Sequence, residues 1–292
     1  MKIIVCLKEV IDPALSLDSG LRHKVVFREG LPLRLNPDDA AALAMALGLK
    51  SAEVEITLLS IGPERAESYL RNGLAAGADR AARIWNEELA ALSTHQKARI
   101  LSRTASLYGA DIVFTGARSL DTANGQVGPL MAVWLGFPCL GDVTGLELDA
   151  DKKRITATRD LGRGRREKVI STLPAVVTVK GEGKLPYASL DGLVESRRRE
   201  IKRLSLADLG ISTLDLENDP VRITGLDYPR PRPIKVPPLD ASLPAFYRIL
   251  QLLQGGISGR KGRMLAGSAD ELAEQLFLML QEEGVVRPAR GR

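Results

Sequence analysis

The sequence predicts an α/β protein built on a doubly wound, mainly parallel sheet, followed by a C-terminal proline-rich arm and helices. Patterns typical of strands and helices alternate four times within residues 1–135, and such alternation favours a parallel sheet with helices on both faces. The predicted strands are unbroken apolar runs, as expected of strands buried on both faces. Five prolines between Pro229 and Pro238 then predict an extended, stiff segment.

The elements of the N-terminal half have recognisable beginnings and ends. Asn36 followed by Pro37 is typical of a helix start, with Asn36 as the N-cap and the acidic residues Asp38 and Asp39 in the first turn. Gly77 and Gly109 each mark the end of a helix, and Gly62 marks the end of a strand. Strands are predicted at residues 3–7, 55–61, 81–85 and 112–114, helices at 38–50, 64–76, 92–108 and 127–135, and a long excursion compatible with a hairpin at 12–35.

Residues 111–138 form the most informative segment of the chain. A short apolar strand leads into a loop of small and hydroxyl-bearing residues, which feeds the N-terminus of the helix predicted at 127–135. The free N–H groups and the positive end of the helix dipole at such a place favour a phosphate group. Ligands of doubly wound sheets bind beyond the carboxyl ends of the strands, where this loop is expected to lie. The segment therefore predicts a nucleotide site.

After Gly141 the pattern changes to short strands separated by turns. Strands are predicted at 144–148, 154–161, 167–171 and 173–181, and helices at 243–253 and from Ser268 onward, where Glu271 completes a capping box. We expect a nucleotide-binding domain over residues 1–211. Residues 212–292 are expected to form the arm and helices, and the arm favours packing on a partner subunit over packing on the same chain.

Composition excludes several function classes. The net charge of +5 is carried partly by an arginine run at 197–199, yet aromatic residues are only 4% of the chain and none interrupts that run, which argues against a nucleic-acid partner. The two cysteines and two histidines have no metal-ligand spacing, and no apolar run could span a bilayer. No signal peptide is apparent, so a reducing cytoplasm is the expected location. No motif of a catalytic acid, base or nucleophile is present.

Three polar residues have two interpretations each. Asn36 could serve only as an N-cap or could also touch a nucleotide. Asp121 could cap the following helix or bind a ribose hydroxyl, and Gln126 could reach a phosphate or simply be solvated. Residue chemistry alone leaves all three open.

Six motifs follow one another in a fixed order along residues 1–211. They are KIIVCLKEVID at 2–12, LNPDDAAALAMAL at 35–47, YLRNGLAAGADRA at 69–81, GARSLDTANGQVGPLMA at 116–132, LPAVVTVK at 173–180 and PYASLDGLVESRRREIKRLSLADLGI at 186–211. Each motif alone is weakly specific, but together they resemble the beta subunits of electron transfer flavoproteins. The resemblance implies a fold of the adenine nucleotide-binding type.

The resemblance also implies a function and its partners. Beta subunits pair with an alpha subunit that holds most of the redox FAD, and they carry an AMP or, in electron-bifurcating members, a second FAD. The dimer accepts electrons from acyl-CoA dehydrogenases and passes them to a membrane quinone reductase or another acceptor. It is a carrier and not an enzyme. The loop sequence DTANGQ at 121–126 lacks the second Asp of many bifurcating members, which favours AMP.

The resemblance further implies which residues contact ligands. A loop that docks the dehydrogenase matches residues 182–190, with Pro186 and Tyr187 near its end and Leu190 as an apolar anchor; the alternative for Leu190 is packing on its own domain. The implied nucleotide contacts lie largely on the loops that the sheet prediction selects. They are Cys6, Asn36, Pro37, Asp38, Asp39, Ile61, Asp121, Thr122, Ala123, Asn124, Gly125, Gln126, Val127, Gly128, Pro129, Leu130, Met131 and Ala132.

The rival hypothesis is a stand-alone adenine nucleotide-binding protein of the stress-protein or ATP-pyrophosphatase type. Such a protein would need no alpha partner. A version that hydrolyses ATP would need a glycine-rich phosphate loop near residue 10, and the sequence has none there.

Overall fold

The computed structural model describes residues 1–12, 33–149, 151, 153–181, 185–212, 216, 219–221, 242–253 and 266–282. The chain forms two compact units, residues 1–226 and 227–292. The predicted proline-rich arm at 229–238 and the interior of the predicted excursion at 13–32 lie outside the described residues.

The first unit is built on a nine-stranded sheet with the order β11-β5-β4-β1-β6-β10-β7-β8-β9. Neighbouring strands from β11 to β7 all run parallel, whereas β7–β8 and β8–β9 pair antiparallel. The predicted fold class is therefore confirmed. The strands of this sheet are β1 Lys2–Cys6, β4 Glu55–Ile61, β5 Arg80–Ile84, β6 Ile112–Gly116, β7 Cys139–Asp149, β8 Arg154–Gly162, β9 Arg165–Thr172, β10 Ala175–Val179 and β11 Ile201–Leu204.

Two further strands, β2 Glu9–Ile11 and β3 Leu33–Leu35, form a small antiparallel ribbon. They flank the predicted excursion, so its two ends are paired as in a hairpin. The Tyr69 hydroxyl donates to the Leu33 carbonyl at 2.8 Å and fastens the ribbon to the helix that carries Tyr69.

Helices cover both faces of the parallel part of the sheet. The N-terminus of α3 has the capping box formed by Ser93 and Gln96, and α3 ends at Gly109, whose φ of 67° is the left-handed conformation expected of a C-cap. The helices of the first unit are α1 Pro37–Gly48, α2 Glu67–Ala75, α3 Thr94–Tyr108, α4 Val127–Leu135 and α5 Leu190–Arg198. The second unit contains α6 Ala245–Leu253 and α7 Ala269–Glu282, close to the predicted bounds.

The buried side chains form one apolar cluster on each face of the sheet. Alternate residues of the same strand supply both clusters: Ile3 and Val5 of β1 join one, and Ile4 and Cys6 join the other. This two-sided burial explains why the strand sequences are continuous apolar runs. Strand β9, at the edge of the sheet, differs because most of its residues are exposed. Ile170, for example, is 61% exposed.

Helix α2 packs tightly on the sheet through Gly73. A methyl group built on Gly73 would lie 2.4 Å from Leu58 Cδ1 and 3.1 Å from Leu43 Cδ2, and both leucines are fully buried. A Cβ therefore cannot enter without displacing the core.

We expect Gly73→Ala to lower the free energy of unfolding by about 1–3 kcal/mol, because overpacking outweighs the gain in helix propensity. Gly48→Ala is the matched control, since Gly48 also lies in a helix and has no atom within 4 Å of the position that a Cβ would take. Urea unfolding of both variants measures the difference. Equal stabilities for the two variants would contradict the packing at Gly73.

Candidate functional site

The candidate site lies at the carboxyl ends of β1 and β6, where the N-termini of α1 and α4 also meet. Asp39, in the first turn of α1, joins the two strand ends. Its Oδ2 accepts the backbone N–H of Lys8 at 2.8 Å, and its Oδ1 accepts the N–H of Gly116 at 2.9 Å. The Lys8 carbonyl in turn accepts the N–H of Asn36 at 3.0 Å. One buried carboxylate thus fixes the segments that follow both central strands.

Asp38 binds the segment after β6 a second time and adds the segment after β10. Its Oδ2 accepts the N–H of Arg118 at 3.0 Å, and its Oδ1 accepts the N–H of Gly181 at 3.1 Å. Because Gly181 follows β10, the first turn of α1 organises the ends of three neighbouring strands. The sequence identified these acidic residues as typical of a helix start but not as acceptors for distant backbone groups.

Asn36 precedes α1 as predicted, but its side chain makes no cap hydrogen bond. Its Nδ2 donates to the Arg118 carbonyl at 2.8 Å, and its Oδ1 accepts the N–H of Leu120 at 3.2 Å. The interpretation of Asn36 as a simple side-chain cap is therefore wrong. The amide is buried and shapes the loop after β6, and its contact with a nucleotide stays a prediction.

Gly116 allows this close approach. A Cβ at Gly116 would lie 2.2 Å from Asp39 Oδ1 and 2.9 Å from Asp38 Cβ, so no larger residue fits while α1 keeps its place. Burial raises the pKa of Asp39 to about 7, even though the hydrogen bonds that its carboxylate accepts act in the opposite direction.

Cys6 is the last residue of β1 and is buried in the apolar cluster that also contains Ile4. Its Sγ is 4.0 Å from Met131 Sδ, and burial, followed by the nearby Asp39, raises the pKa of the thiol. Cys6 therefore packs as a small apolar residue. Met131 and Ala132 are buried in the same cluster, and Ile61, at the end of β4, packs against it.

The loop between β6 and α4 is held by polar contacts to two other elements. Lys8 Nζ lies 2.7 Å from Asp121 Oδ1, and Asn124 Nδ2 donates to Thr94 Oγ1 of α3 at 3.2 Å. Partial burial raises the pKa of Asp121, but hydrogen bonds from Lys8 and Ser119 lower it by more. The pKa of this carboxyl group therefore lies below its usual value. Asp121 does not cap α4, which begins six residues later, so that interpretation is wrong.

The backbone of this loop adopts the left-handed region twice, at Ala123 with φ of 50° and at Gly125 with φ of 63°. A residue with a Cβ is strained there, which explains the glycine at 125. Residues 121–124 and Gln126 are exposed, and Gly125 and Val127 are partly so. This accessible stretch contains seven of the eighteen predicted nucleotide contacts.

The first turn of α4 suits an anion. Its N-cap, Gln126, makes no side-chain cap hydrogen bond, and Pro129 lacks an N–H, so Val127 and Gly128 supply the free donors of the turn. A Cβ at Gly128 would lie 2.2 Å from Thr178 Cγ2 and 2.7 Å from Thr115 Oγ1. Glycine therefore lets α4 sit directly on β6 and β10.

Thr115 contributes an unusual feature at this turn. Among the residues that the structure describes, its hydroxyl is the buried side-chain polar atom without a hydrogen-bond partner. Such a group is costly unless something satisfies it. Free N–H donors and an unsatisfied hydroxyl at one helix turn fit a phosphate-bearing ligand.

The predicted docking residues lie elsewhere, just before and within α5. Tyr187 is fully exposed and Leu190 is 77% exposed, with the exposed Leu193 and Val194 one turn further on. Packing of Leu190 on its own domain is therefore wrong. We call Tyr187, Leu190, Leu193 and Val194 the α5 apolar patch; residues 182–184 of the predicted loop lie outside the described residues.

Three basic residues of the site were missed by sequence reasoning: Lys8, Lys97 and Arg118. The position of Lys8 directly after the first strand could have revealed it, since that position belongs to the ligand edge of a parallel sheet. Nothing in the sequence links Lys97 to this edge.

The described residues contain no cluster of His, Cys, Asp or Glu that could hold a metal ion, and none of their helices is long and apolar enough to cross a membrane.

The fold and site define a class: doubly wound α/β proteins with an exposed loop and free helix N–H groups at the strand ends. Comparison with known sequences identifies the family within this class. The electron transfer flavoprotein domain matches residues 24–209. Accordingly, the chain belongs to the electron transfer flavoprotein family.

Its relatives are beta subunits and FixA proteins. The electron transfer flavoprotein subunit beta of Methylophilus methylotrophus is 32% identical over 222 residues, which is 74% of this chain and 83% of that protein. The corresponding subunit of Megasphaera elsdenii is 32% identical over 243 residues, 80% of this chain and 89% of that one. Protein FixA of Rhizobium leguminosarum bv. phaseoli is 30% identical over 272 residues, 90% of this chain and 96% of the relative.

Asp39→Asn should lower the free energy of unfolding by about 1–3 kcal/mol, because an amide offers one oxygen to two buried N–H donors. The loss should also depend on pH. The raised pKa means that folded Asp39 keeps a proton that the unfolded chain loses, so its contribution to stability falls as pH rises towards about 7. Urea unfolding at about pH 5 and about pH 8 should give a smaller difference between wild type and variant at the higher pH. A stability difference between wild type and variant that grows with pH would contradict burial as the main cause of the raised pKa of Asp39.

Proposed function

We propose that this chain is the beta subunit of an electron transfer flavoprotein heterodimer. Its alpha partner would hold most of the FAD, and the dimer would carry electrons from an acyl-CoA dehydrogenase to a membrane quinone reductase or another acceptor. The proposal rests on family membership and on the loop at 116–128. A cytoplasmic location stays a prediction from the sequence.

The single observation that carries the nucleotide assignment is the first turn of α4. Its free N–H groups at Val127 and Gly128 lie in the turn that follows the carboxyl end of β6, where doubly wound folds bind ligands, and the unsatisfied Thr115 hydroxyl lies next to Gly128. We infer that the exposed stretch 121–127 holds the nucleotide and that Asp38, Asp39 and Asn36 keep this loop in shape. These three side chains already accept or donate hydrogen bonds within the protein.

We infer that the nucleotide is AMP, with a second FAD as the alternative. The loop sequence DTANGQ favours AMP, and the carboxylate of Asp121 is engaged by Lys8 at 2.7 Å. AMP has no redox chemistry, so its role would be structural. The FAD supplies the electron transfer when bound, and this chain would contribute binding and docking surfaces but no catalytic acid or base.

The α5 apolar patch is our proposed contact for the electron donor. An exposed Tyr and three exposed aliphatic side chains within eight residues form an apolar surface patch of the kind that marks a protein–protein contact. The neighbouring Arg197 and Arg198 at the end of α5 would supply a polar rim.

Co-production of the full chain with an alpha subunit tests the proposal, with Gly125→Val as the decisive variant. We expect wild type to yield a yellow heterodimer that releases AMP on denaturation. Gly125→Val should lose most of that AMP, because valine is strained at φ of 63° and its side chain blocks access to the loop backbone.

Gly136→Val is the control, since Gly136 has a similar φ of 69° at the far end of α4 and no neighbouring atom within 4 Å. It should retain AMP. Equal AMP content in the two variants would exclude the loop as the nucleotide site. A colourless monomer that hydrolyses ATP would instead support the stand-alone nucleotide-binding protein.

Leu190→Ser should slow reduction of the heterodimer by an acyl-CoA dehydrogenase at least about tenfold, because loss of a hot-spot side chain costs more than about 1.4 kcal/mol. Flavin content should not change. Ile170→Ser, at a similarly exposed aliphatic residue of β9 (61%), is the control and should react as wild type does. An unchanged rate for Leu190→Ser would remove this patch as the donor contact.

A further inference from the structure

Helix α3 begins beside the candidate nucleotide loop. The capping box of Ser93 fixes its first turn, and Thr94 accepts the hydrogen bond from Asn124 of the loop at 3.2 Å. Lys97 follows Thr94 by three residues, which places both side chains on the same face of the helix. Lys97 therefore points to the side of α3 that meets the loop.

Lys97 is half-buried among charged groups of the site. Burial, followed by the positive charge of Lys8, lowers the pKa of its ammonium group, whereas the negative charge of Asp121 raises it. Lys8 has Asp121 as a partner at 2.7 Å. Within the described residues, no carboxylate lies within ion-pair distance of Lys97. Two lysines thus share one carboxylate, and among the described residues Lys97 has no ion-pair partner of its own.

A half-buried ammonium group without a carboxylate of its own favours an anionic ligand, because the charge is costly without a partner. The first turn of α4 adds N–H donors at the end of the loop, and the unsatisfied Thr115 hydroxyl lies next to Gly128 of that turn. Ammonium groups and helix N–H donors converge on phosphate more often than on neutral ligands. A ribose or an adenine ring would leave the Lys97 charge uncompensated.

We propose that Lys97 of α3 is a phosphate-binding residue of the nucleotide site and acts together with Lys8. This inference rests on the nucleotide assignment above. It adds a residue from outside the loop and explains how the site would distinguish a nucleotide from its nucleoside. The ligand chemistry is a phosphate monoester or a pyrophosphate attached to adenosine.

The test compares AMP with adenosine, using the heterodimer after removal of its nucleotide and titration calorimetry as the readout. We expect Lys97→Met to weaken AMP binding by about 10- to 100-fold, as loss of a charge-assisted hydrogen bond does, and to leave adenosine binding unchanged. Lys97→Arg should restore most of the AMP affinity. Lys168→Met, at an exposed lysine of β9, is the control and should bind AMP as wild type does.

Salt dependence provides a second measurement that a purely structural role of Lys97 would not change. AMP binding to wild type should weaken as KCl is raised, and Lys97→Met should show a smaller dependence because one charge is missing. If Lys97→Met binds AMP with the same affinity and the same salt dependence as wild type, the proposed role of Lys97 is refuted. The proposal of a nucleotide site would not be affected by that result. A wild-type heterodimer that binds neither AMP nor adenosine would refute the nucleotide assignment itself.

Discussion

The bridge that Asp39 makes between Lys8 and Gly116 is the interaction on which the rest of the site depends. Parallel strands end without any direct connection to their neighbours, so something must fix the relative positions of the segments that leave them. Here a single buried carboxylate accepts one N–H from each segment at 2.8 and 2.9 Å. Asp38 and Asn36 extend the same principle to Arg118, Leu120 and Gly181. The start of α1 thus acts as a template for the ligand edge.

This arrangement explains two requirements that would otherwise look unrelated. Gly116 must lack a side chain because the Asp39 carboxylate occupies the space of its Cβ. Gly128 must lack one because α4 lies against Thr115 and Thr178. Both glycines serve close packing and not backbone flexibility, in contrast to Gly125, whose φ is positive. The loop is therefore held between two close contacts, one with α1 and one at the sheet.

The sequence predicted the sheet, most helices and the position of the loop, because these follow from local patterns. Apolar runs identify strands buried on both faces, and Pro37 and Gly109 mark helix ends through local chemistry. Long-range pairings have no local signature. The partners of Asn36 lie more than eighty residues away, so the sequence suggested an N-cap or a nucleotide contact but not these hydrogen bonds. Lys97 lies on a helix with ordinary spacing, and only the packing of α3 against the loop brings it to the site.

The strand order also bears on how the chain assembles. Strands β5, β4, β1 and β6 come from the first 116 residues and form a four-stranded sheet whose two outer strands are β5 and β6. Strand β10 later pairs with β6, and β11 pairs with β5, so both edges are closed by segments that are synthesised afterwards. Open edges of a sheet invite pairing with other chains. The N-terminal half therefore exposes two aggregation-prone edges during synthesis, and the residues from Ala175 to Leu204 protect both of them.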